Sequence, residues 1–541
     1  MLQTLLYNGA ICTKNGSYEF RYKWLAVRAG RVWHLGEESG DEPLRVMKAF
    51  ISSKTKVIDL QGGTLFPAFF DSHLHLLGIG RIAKRLNLSG VTSLLEVRRR
   101  VSEVAAKLSP GEWILGRGWD QNLWEGQAMP TLHDLDDITA SNPVFLVRVD
   151  GHAALVNSAA LKLAGVTSER GKVAGGEYTQ GLLIDNAISL VEKLLPEEGR
   201  SERLAYLESS LSLCKAAGLG GVVDVQVSLR DLDLFANFFN EKRSLRVFAM
   251  IDGHDSAAHE MLEHRDEFYW KEFLGRYNSP FFKVVGMKFY ADGALGSRGA
   301  LLKERYADAA DADARGLEVL SKQEMQRYFE KAFKVGLQVS VHALGDLAVS
   351  NVLDVGEAIL AQKQIRKVKL RIEHLEVLDP KDIARMQALL AVASIQAVHL
   401  VDDSPWLALR LGEVRTKERV SLWRSLLKGG VLVANGTDAP IANLSPIESF
   451  LSLITRKSAS GAAYSGINLQ EALTAEEALE AMTESGFKSV GESESGDFGK
   501  IAIGRYADFT LLSKNILSAS MEEIRECKLL LQMVAGECTF E

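Results

Sequence analysis

Eight short runs rich in β-branched and aromatic residues, at 64–70, 220–225, 245–251, 282–290, 337–342, 369–374, 391–396 and 431–435, recur along the middle of the chain. Most are separated by amphipathic stretches long enough to form a helix, the alternation that a parallel sheet with helical crossovers requires. Eight such units predict an α/β chain folded as a (β/α)8 barrel of the TIM type. That architecture carries a positional rule: residues with chemical roles sit where the strands end, at the C-terminal face.

The flanks read differently. Residues 5–13, 24–28, 31–35 and 57–60 are short strand-like runs broken by glycine turns, and 500–504 and 508–512 repeat that texture near the other end. Both ends together predict one small β-sandwich, 1–62 with 491–541, beside a barrel made of 63–80 and 196–490. About 150 residues separate the first run from the second, far more than a crossover needs. An inserted subdomain over 81–195, near the barrel mouth, is the expected cause.

Composition narrows the function classes. The chain has 541 residues, 47% hydrophobic and 25% charged, which is ordinary for a globular protein with a large core. With 63 Lys and Arg against 70 Asp and Glu, the net charge of −7 offers no general attraction to a phosphate backbone, so nucleic acid is not expected as a partner. The first residues lack a basic leader, and no run of about eighteen apolar residues occurs, so neither a signal peptide nor a membrane span is expected. Cys12, Cys214, Cys527 and Cys538 are scattered without a CxxC pair, which predicts a reducing, cytoplasmic setting. A homo-oligomer stays open.

The chemistry concentrates at the run ends. Asp71-Ser72-His73-Leu74-His75 follows the first run, and residues i and i+2 of an extended chain point to one side, so His73 and His75 can offer two imidazoles to one ion. His342 and His374 close the fifth and sixth runs. Four of the eleven histidines therefore fall at the ends of three predicted strands, where a barrel converges them. Asp438, just past the eighth run, is a carboxylate that could ligate a metal and take the proton of an attacking water; a turn aspartate before Pro440 has the same sequence signature. Lys288 shares one face of the fourth run with Val284, Gly286 and Tyr290. Burial there favours the neutral amine, which could take up CO2 as a carbamate bridging two cations, while pairing with an acid such as Asp292 fits the spacing equally well.

Taken in order, FPAFFDSHLH (66–75), GRGWD (116–120), DGHAALVNSAAL (150–161), MKFYADGALGSR (287–298), VHALGD (341–346), RIEHLEVL (371–378), NGTDAP (435–440) and GKIAIGRYADFTLL (499–512) resemble the amidohydrolase superfamily. The resemblance is to its branch of metal-dependent hydrolases similar to N-substituted formamide deformylase. It implies a barrel with a β-sandwich from both chain ends and two divalent ions, usually zinc. His73, His75 and Asp438 would hold one ion, His342 and His374 the second, with an N6-carboxylated Lys288 between them. A metal-bridging hydroxide would attack the carbonyl of a small amide-like substrate, with Asp438 as proton shuttle. His152, Trp119 and Asp120 in the inserted region are candidate substrate contacts. Ala68 stands where the branch usually has Gly, and Thr437 where Ser usually precedes the aspartate. The rival readings are a deaminase, an esterase or a phosphotriesterase-type enzyme of the same superfamily, and a non-catalytic metal-binding regulatory protein.

Overall fold

The computed structural model of the chain describes residues 3–540 apart from 140, 150, 152, 174–175, 310, 312, 363–364, 366, 458–465 and 493–496. They divide into two units, Met1–His75 with Leu211–Glu541, and Leu76–Ser210.

The first unit holds an eight-stranded sheet of β1 (Phe69–Leu74), β2 (Leu219–Val227), β3 (Arg246–Asp252), β4 (Phe282–Tyr290), β5 (Gln338–Ala343), β6 (Leu370–His374), β7 (Val392–Ile395) and β8 (Leu432–Asn435). Each strand pairs in parallel with its predecessor. Just past β8, the Asp438 N–H donates to the His73 carbonyl at 2.7 Å and the His75 N–H donates to the Ala439 carbonyl at 2.8 Å, drawing the last strand onto the first. The result is the expected barrel. Its strands read as near-continuous apolar runs because they are covered on both faces. The helix Lys322–Lys334 shows why the intervening segments are helical: Ser321 and Glu324 form a capping box, and Met325, Phe329 and Phe333 are buried on one stripe.

Residues near both termini form two larger sheets beside the small hairpin Thr13–Asn15 with Ser17–Glu19. One orders Arg31–Gly36, Trp24–Arg28, Thr4–Tyr7 and Lys56–Asp59; the other orders Ala10–Ile11, Thr64–Pro67, Phe509–Leu512, Leu529–Val534 and Glu537–Phe540. Leu6, Leu25 and Val27 from the first pack with Leu65, Phe509 and Met533 from the second in one core. Two expectations need correction. The run 64–70 is two strands, because Thr64–Pro67 pairs antiparallel with Phe509–Leu512 and the barrel begins only at Phe69. Hydropathy does not mark the change of sheet, since both strands are fully buried. Residues 500–504 form no strand: Ile501 is buried in the terminal core, but the segment closes a turn whose Gly504 N–H donates to Val32 O at 2.8 Å.

The second unit is built on a seven-stranded mixed sheet ordered Leu86–Asn87, Ile114–Trp119, Val144–Arg148, Ala153–Val156, Leu182–Asp185, Gly176–Thr179 and Arg170–Val173. Trp119 and Trp124 sit in its core with ring centroids 6.0 Å apart. Among the described residues, no helix is long and apolar enough to cross a membrane.

Candidate metal centre

Alternation along β1 turns Asp71 and His73 to one side and Phe70 and Ser72 to the other. His73 is 1% exposed, and its two ring nitrogens have different partners. Nδ1 lies 2.7 Å from Glu373 Oε2, and Nε2 lies 3.4 Å from Asp438 Oδ1. His75 directs Nε2 to the same Asp438 oxygen at 3.1 Å. The spacing read from the sequence thus becomes a converging donor set once Asp438 arrives from the loop after β8, beside β1 where the barrel closes.

That arrival depends on backbone geometry. Asp438 has φ 58° and His374 has φ 76°, left-handed conformations that cost non-glycine residues energy and persist where the surroundings over-determine them. Asp71 supplies the restraint for the first. Its Oδ1 accepts the N–H groups of His73 at 3.0 Å and Thr437 at 3.1 Å, and its Oδ2 accepts the Thr437 hydroxyl at 2.6 Å. Gly436 allows the close approach, because a Cβ there would sit 2.3 Å from the His73 nitrogen.

The other imidazoles complete a continuous cluster. The His374 ring centroid lies 4.9 Å from that of His73 and 4.6 Å from that of His342. His399 is one that sequence reasoning missed. It sits in α1 (Ala397–Asp403), its ring 6.1 Å from His374 and nearly parallel to it, with Nε2 3.9 Å from Asp438 Oδ2. It follows the seventh run by three residues, so the rule that pointed to His342 and His374 extends to it.

Ligand-capable atoms gather in two groups, His73, His75 and Asp438, and His374, His399 and Asp438, with the atoms of each group within 4.8 Å of one another. Asp438 belongs to both. His342, paired with His374 in the sequence reading, lies outside both groups and places Nε2 3.9 Å from Asp292 Oδ1.

Lys288 is 1% exposed on β4, with Nζ 4.0 Å from the centroid of the Tyr290 ring. The Asp292 pairing that spacing allowed is not formed: the Asp292 carboxylate accepts the N–H groups of Leu301, Leu344 and Gly345 at 2.8, 3.0 and 2.9 Å. Burial pushes the Lys288 ammonium down to about 8, against the opposing pull of Glu373 and Asp438. Burial and the Lys288 charge push His342 down to about 3, and burial with the neighbouring His342 and His73 holds His374 well below the usual imidazole range. Burial alone would raise Asp438, but His73 and His75 outweigh it and hold the carboxyl well below its usual range. His342, His374 and His399 are all pushed towards the neutral imidazole beside an ionised carboxylate, which suits metal ligation, whereas burial at His73 is outweighed by Glu373 and Asp438, which raise it above the usual imidazole value. The buried Nε2 atoms of His342 and His399 have no hydrogen-bond partner among the described residues, which also fits lone pairs held for a cation.

Two of the candidate substrate contacts, Trp119 and Asp120, lie in the second unit. Trp119 is buried and donates its indole N–H to Leu146 O at 2.8 Å. Asp120 accepts from Arg148 Nη2 at 3.1 Å and from the Asn122 N–H at 3.0 Å. Both are engaged inside their own unit, and His152 lies outside the described residues.

The amidohydrolase family matches residues 56–540. The chain is 32% identical over 505 residues to the putative amidohydrolase YtcJ of Bacillus subtilis (strain 168), covering 92% of this chain and 93% of that protein. It is 26% identical over 545 residues to the N-substituted formamide deformylase of Arthrobacter pascens, covering 95% and 94%. Among solved structures, an uncharacterized metal-dependent hydrolase of Pyrococcus furiosus superposes with a TM-score of 0.77 at 28% identity, over 95% of this chain and 100% of that one.

Proposed function

The chain belongs to the amidohydrolase family, and from that premise we propose that it is a metal-dependent hydrolase cleaving the carbon–nitrogen bond of a small amide-like substrate, an N-substituted formamide being one such class. The observation that carries this reading is Asp438, a buried carboxylate common to both ligand-spaced groups. His73, His75 and Asp438 would hold one divalent ion, and His374 with His399 and His342 would surround a second; zinc suits this nitrogen-rich set. When bound, such ions polarise a carbonyl oxygen and acidify water.

The chain's own groups then divide the work. Asp438 takes the proton of the attacking water as its oxygen bonds to the carbonyl carbon, and returns that proton to the departing nitrogen as the carbon–nitrogen bond breaks. The products are a carboxylic acid, formic acid for a formamide, and an amine. Lys288, lowered to about 8, holds a far larger neutral fraction near neutral pH than an exposed lysine does. Its free amine could attack CO2, forming a nitrogen–carbon bond and losing a proton, to give a carboxylate that would offer oxygen ligands to the ions. The similarity to the Arthrobacter deformylase supports the formamide class.

The test is metal content per purified chain beside a panel of formamides, N-acyl amides and esters. About two ions per chain with amine release from amides is expected. Protein that takes up no divalent metal overturns the reading, ammonia release with one ion moves it to a deaminase, and cleavage of esters alone moves it to an esterase. Lys288→Ala should lose most of the bound metal, with partial recovery in a short carboxylic acid; metal content equal to the unsubstituted chain would remove Lys288 from the centre.

A further inference from the structure

Glu373 adjoins His374 in sequence, on β6, and is fully buried beneath the imidazole cluster. Its two carboxylate oxygens have separate tasks. Oε2 lies 2.7 Å from His73 Nδ1. Oε1 accepts from Arg371 Nε at 2.6 Å and from the Ser340 hydroxyl at 2.5 Å. Arg371 is itself 0% exposed and held on its remaining nitrogens: Nη1 donates to Ser489 Oγ at 2.7 Å, and Nη2 donates to Ser394 Oγ at 2.6 Å and to the Ser72 carbonyl. A carboxylate anchored at one oxygen by a guanidinium N–H, which cannot become an acceptor, has no freedom to exchange its two ends.

A neutral imidazole carries one N–H and one lone pair, and a carboxylate oxygen only accepts. As a metal ligand His73 must be neutral, so facing Glu373 through Nδ1 it donates from Nδ1, which leaves the lone pair on Nε2, the nitrogen facing Asp438. We propose that Glu373 is the positioning residue of this centre: clamped by Arg371 and Ser340, it locks His73 in the Nδ1–H tautomer so that Nε2 is the ligand atom. The inference rests on the metal-dependent reading above and adds to it the device that selects the ligating nitrogen.

Glu373→Gln inverts that device at constant volume. Arg371 Nε–H compels the amide oxygen to its own side, so the amide NH2 faces His73 Nδ1. A donor there demands the Nδ1 lone pair and moves the hydrogen to Nε2, against the cation. Full-length wild-type, Glu373→Gln and Glu373→Asp proteins are stripped of metal and titrated with Zn2+ against a chromophoric chelator. Glu373→Gln is expected to weaken the tightest Zn2+ site by roughly 10- to 100-fold, and Glu373→Asp, shorter but still acceptor-only, to weaken it less. A packing role predicts the opposite order, because glutamine preserves shape and aspartate does not. Wild-type-like Zn2+ affinity in folded Glu373→Gln, or a greater loss in Glu373→Asp, overturns the proposal. Wild-type protein that binds no Zn2+ instead overturns the metal-dependent reading, so the two failures are distinct. Should Glu373→Gln not fold, long-range 1H–15N spectra of 15N-histidine-labelled, Zn2+-loaded wild-type protein decide: His73 with its hydrogen on Nδ1 is expected, and a ring protonated at Nε2 alone overturns the assignment.

Discussion

In the proposed reaction Asp438 meets two demands that pull apart. As a shared ligand it must stay ionised, which His73 and His75 secure against the cost of its burial. As a proton carrier it must face both the attacking water and the departing nitrogen. Asp438→Asn keeps an oxygen donor and loses the charge, so it is expected to retain much of its metal while turnover falls by roughly 10²- to 10⁴-fold. Metal analysis beside steady-state rates checks this, and near-normal turnover would remove Asp438 from proton transfer. His399 is the complementary case. It shares a ligand-spaced group with His374 and Asp438, so His399→Phe, which keeps the ring and removes its nitrogens, should lose about one ion per chain while the His73 side stays loaded. The histidine motif in β1 was legible in the sequence because its period of two is local; His399 was passed over because it sits in a helix beyond its strand rather than at the strand's last residue.

The first strand and the loop after the eighth are 366 residues apart in sequence at the Asp71–Thr437 contact, yet together they set the geometry of the candidate ligand group of His73, His75 and Asp438. Asp71 is the staple, and burial pushes its carboxyl up to about 6, against the pull of the Thr437 and His73 hydrogen bonds. Thr437→Val keeps the shape and removes the hydroxyl, leaving Asp71 Oδ2 without its donor. The expected cost is about 1–3 kcal/mol in denaturant unfolding, with weaker metal binding because the Asp438 loop loses its restraint. Thr437→Ser keeps the hydroxyl and should be near wild type, so the difference from the usual serine carries no chemical penalty. Equal stability of the valine and serine variants would show that the staple contributes nothing.

Across the first unit, barrel and terminal sheet are joined by a buried ion pair, Arg246 Nε to Asp508 Oδ2 at 2.6 Å and Nη2 to Oδ1 at 3.0 Å, with Arg246 Nη1 donating to Pro280 O at 2.7 Å. Asp508→Ala strands a buried guanidinium and is expected to cost roughly 3–5 kcal/mol in chemical unfolding. A loss under about 1 kcal/mol would contradict that role. Glu484 forms a second tie, at 2.6 Å from Lys488 Nζ and 2.9 Å from Lys500 Nζ. Burial alone would raise its carboxyl, but the two lysine hydrogen bonds outweigh it and hold it below its ordinary value of 4.5. A depressed acid adds stability that is fully present above the unfolded value and lost as pH falls through the folded one. Glu484→Gln should therefore destabilise the protein at pH 7 and flatten its unfolding midpoint below pH 4.5; an unchanged acid limb would refute the linkage. The alternation of runs and crossovers, the paired histidines and the order of the motifs are legible along the chain, because each is written in a local period or spacing. The change of sheet between Pro67 and Phe69, the approach of His399 to His374 and the contact of Glu373 with His73 across 300 residues emerge only in the folded chain. Those contacts follow from strand register around a nearly closed barrel, which brings together side chains that no local pattern relates.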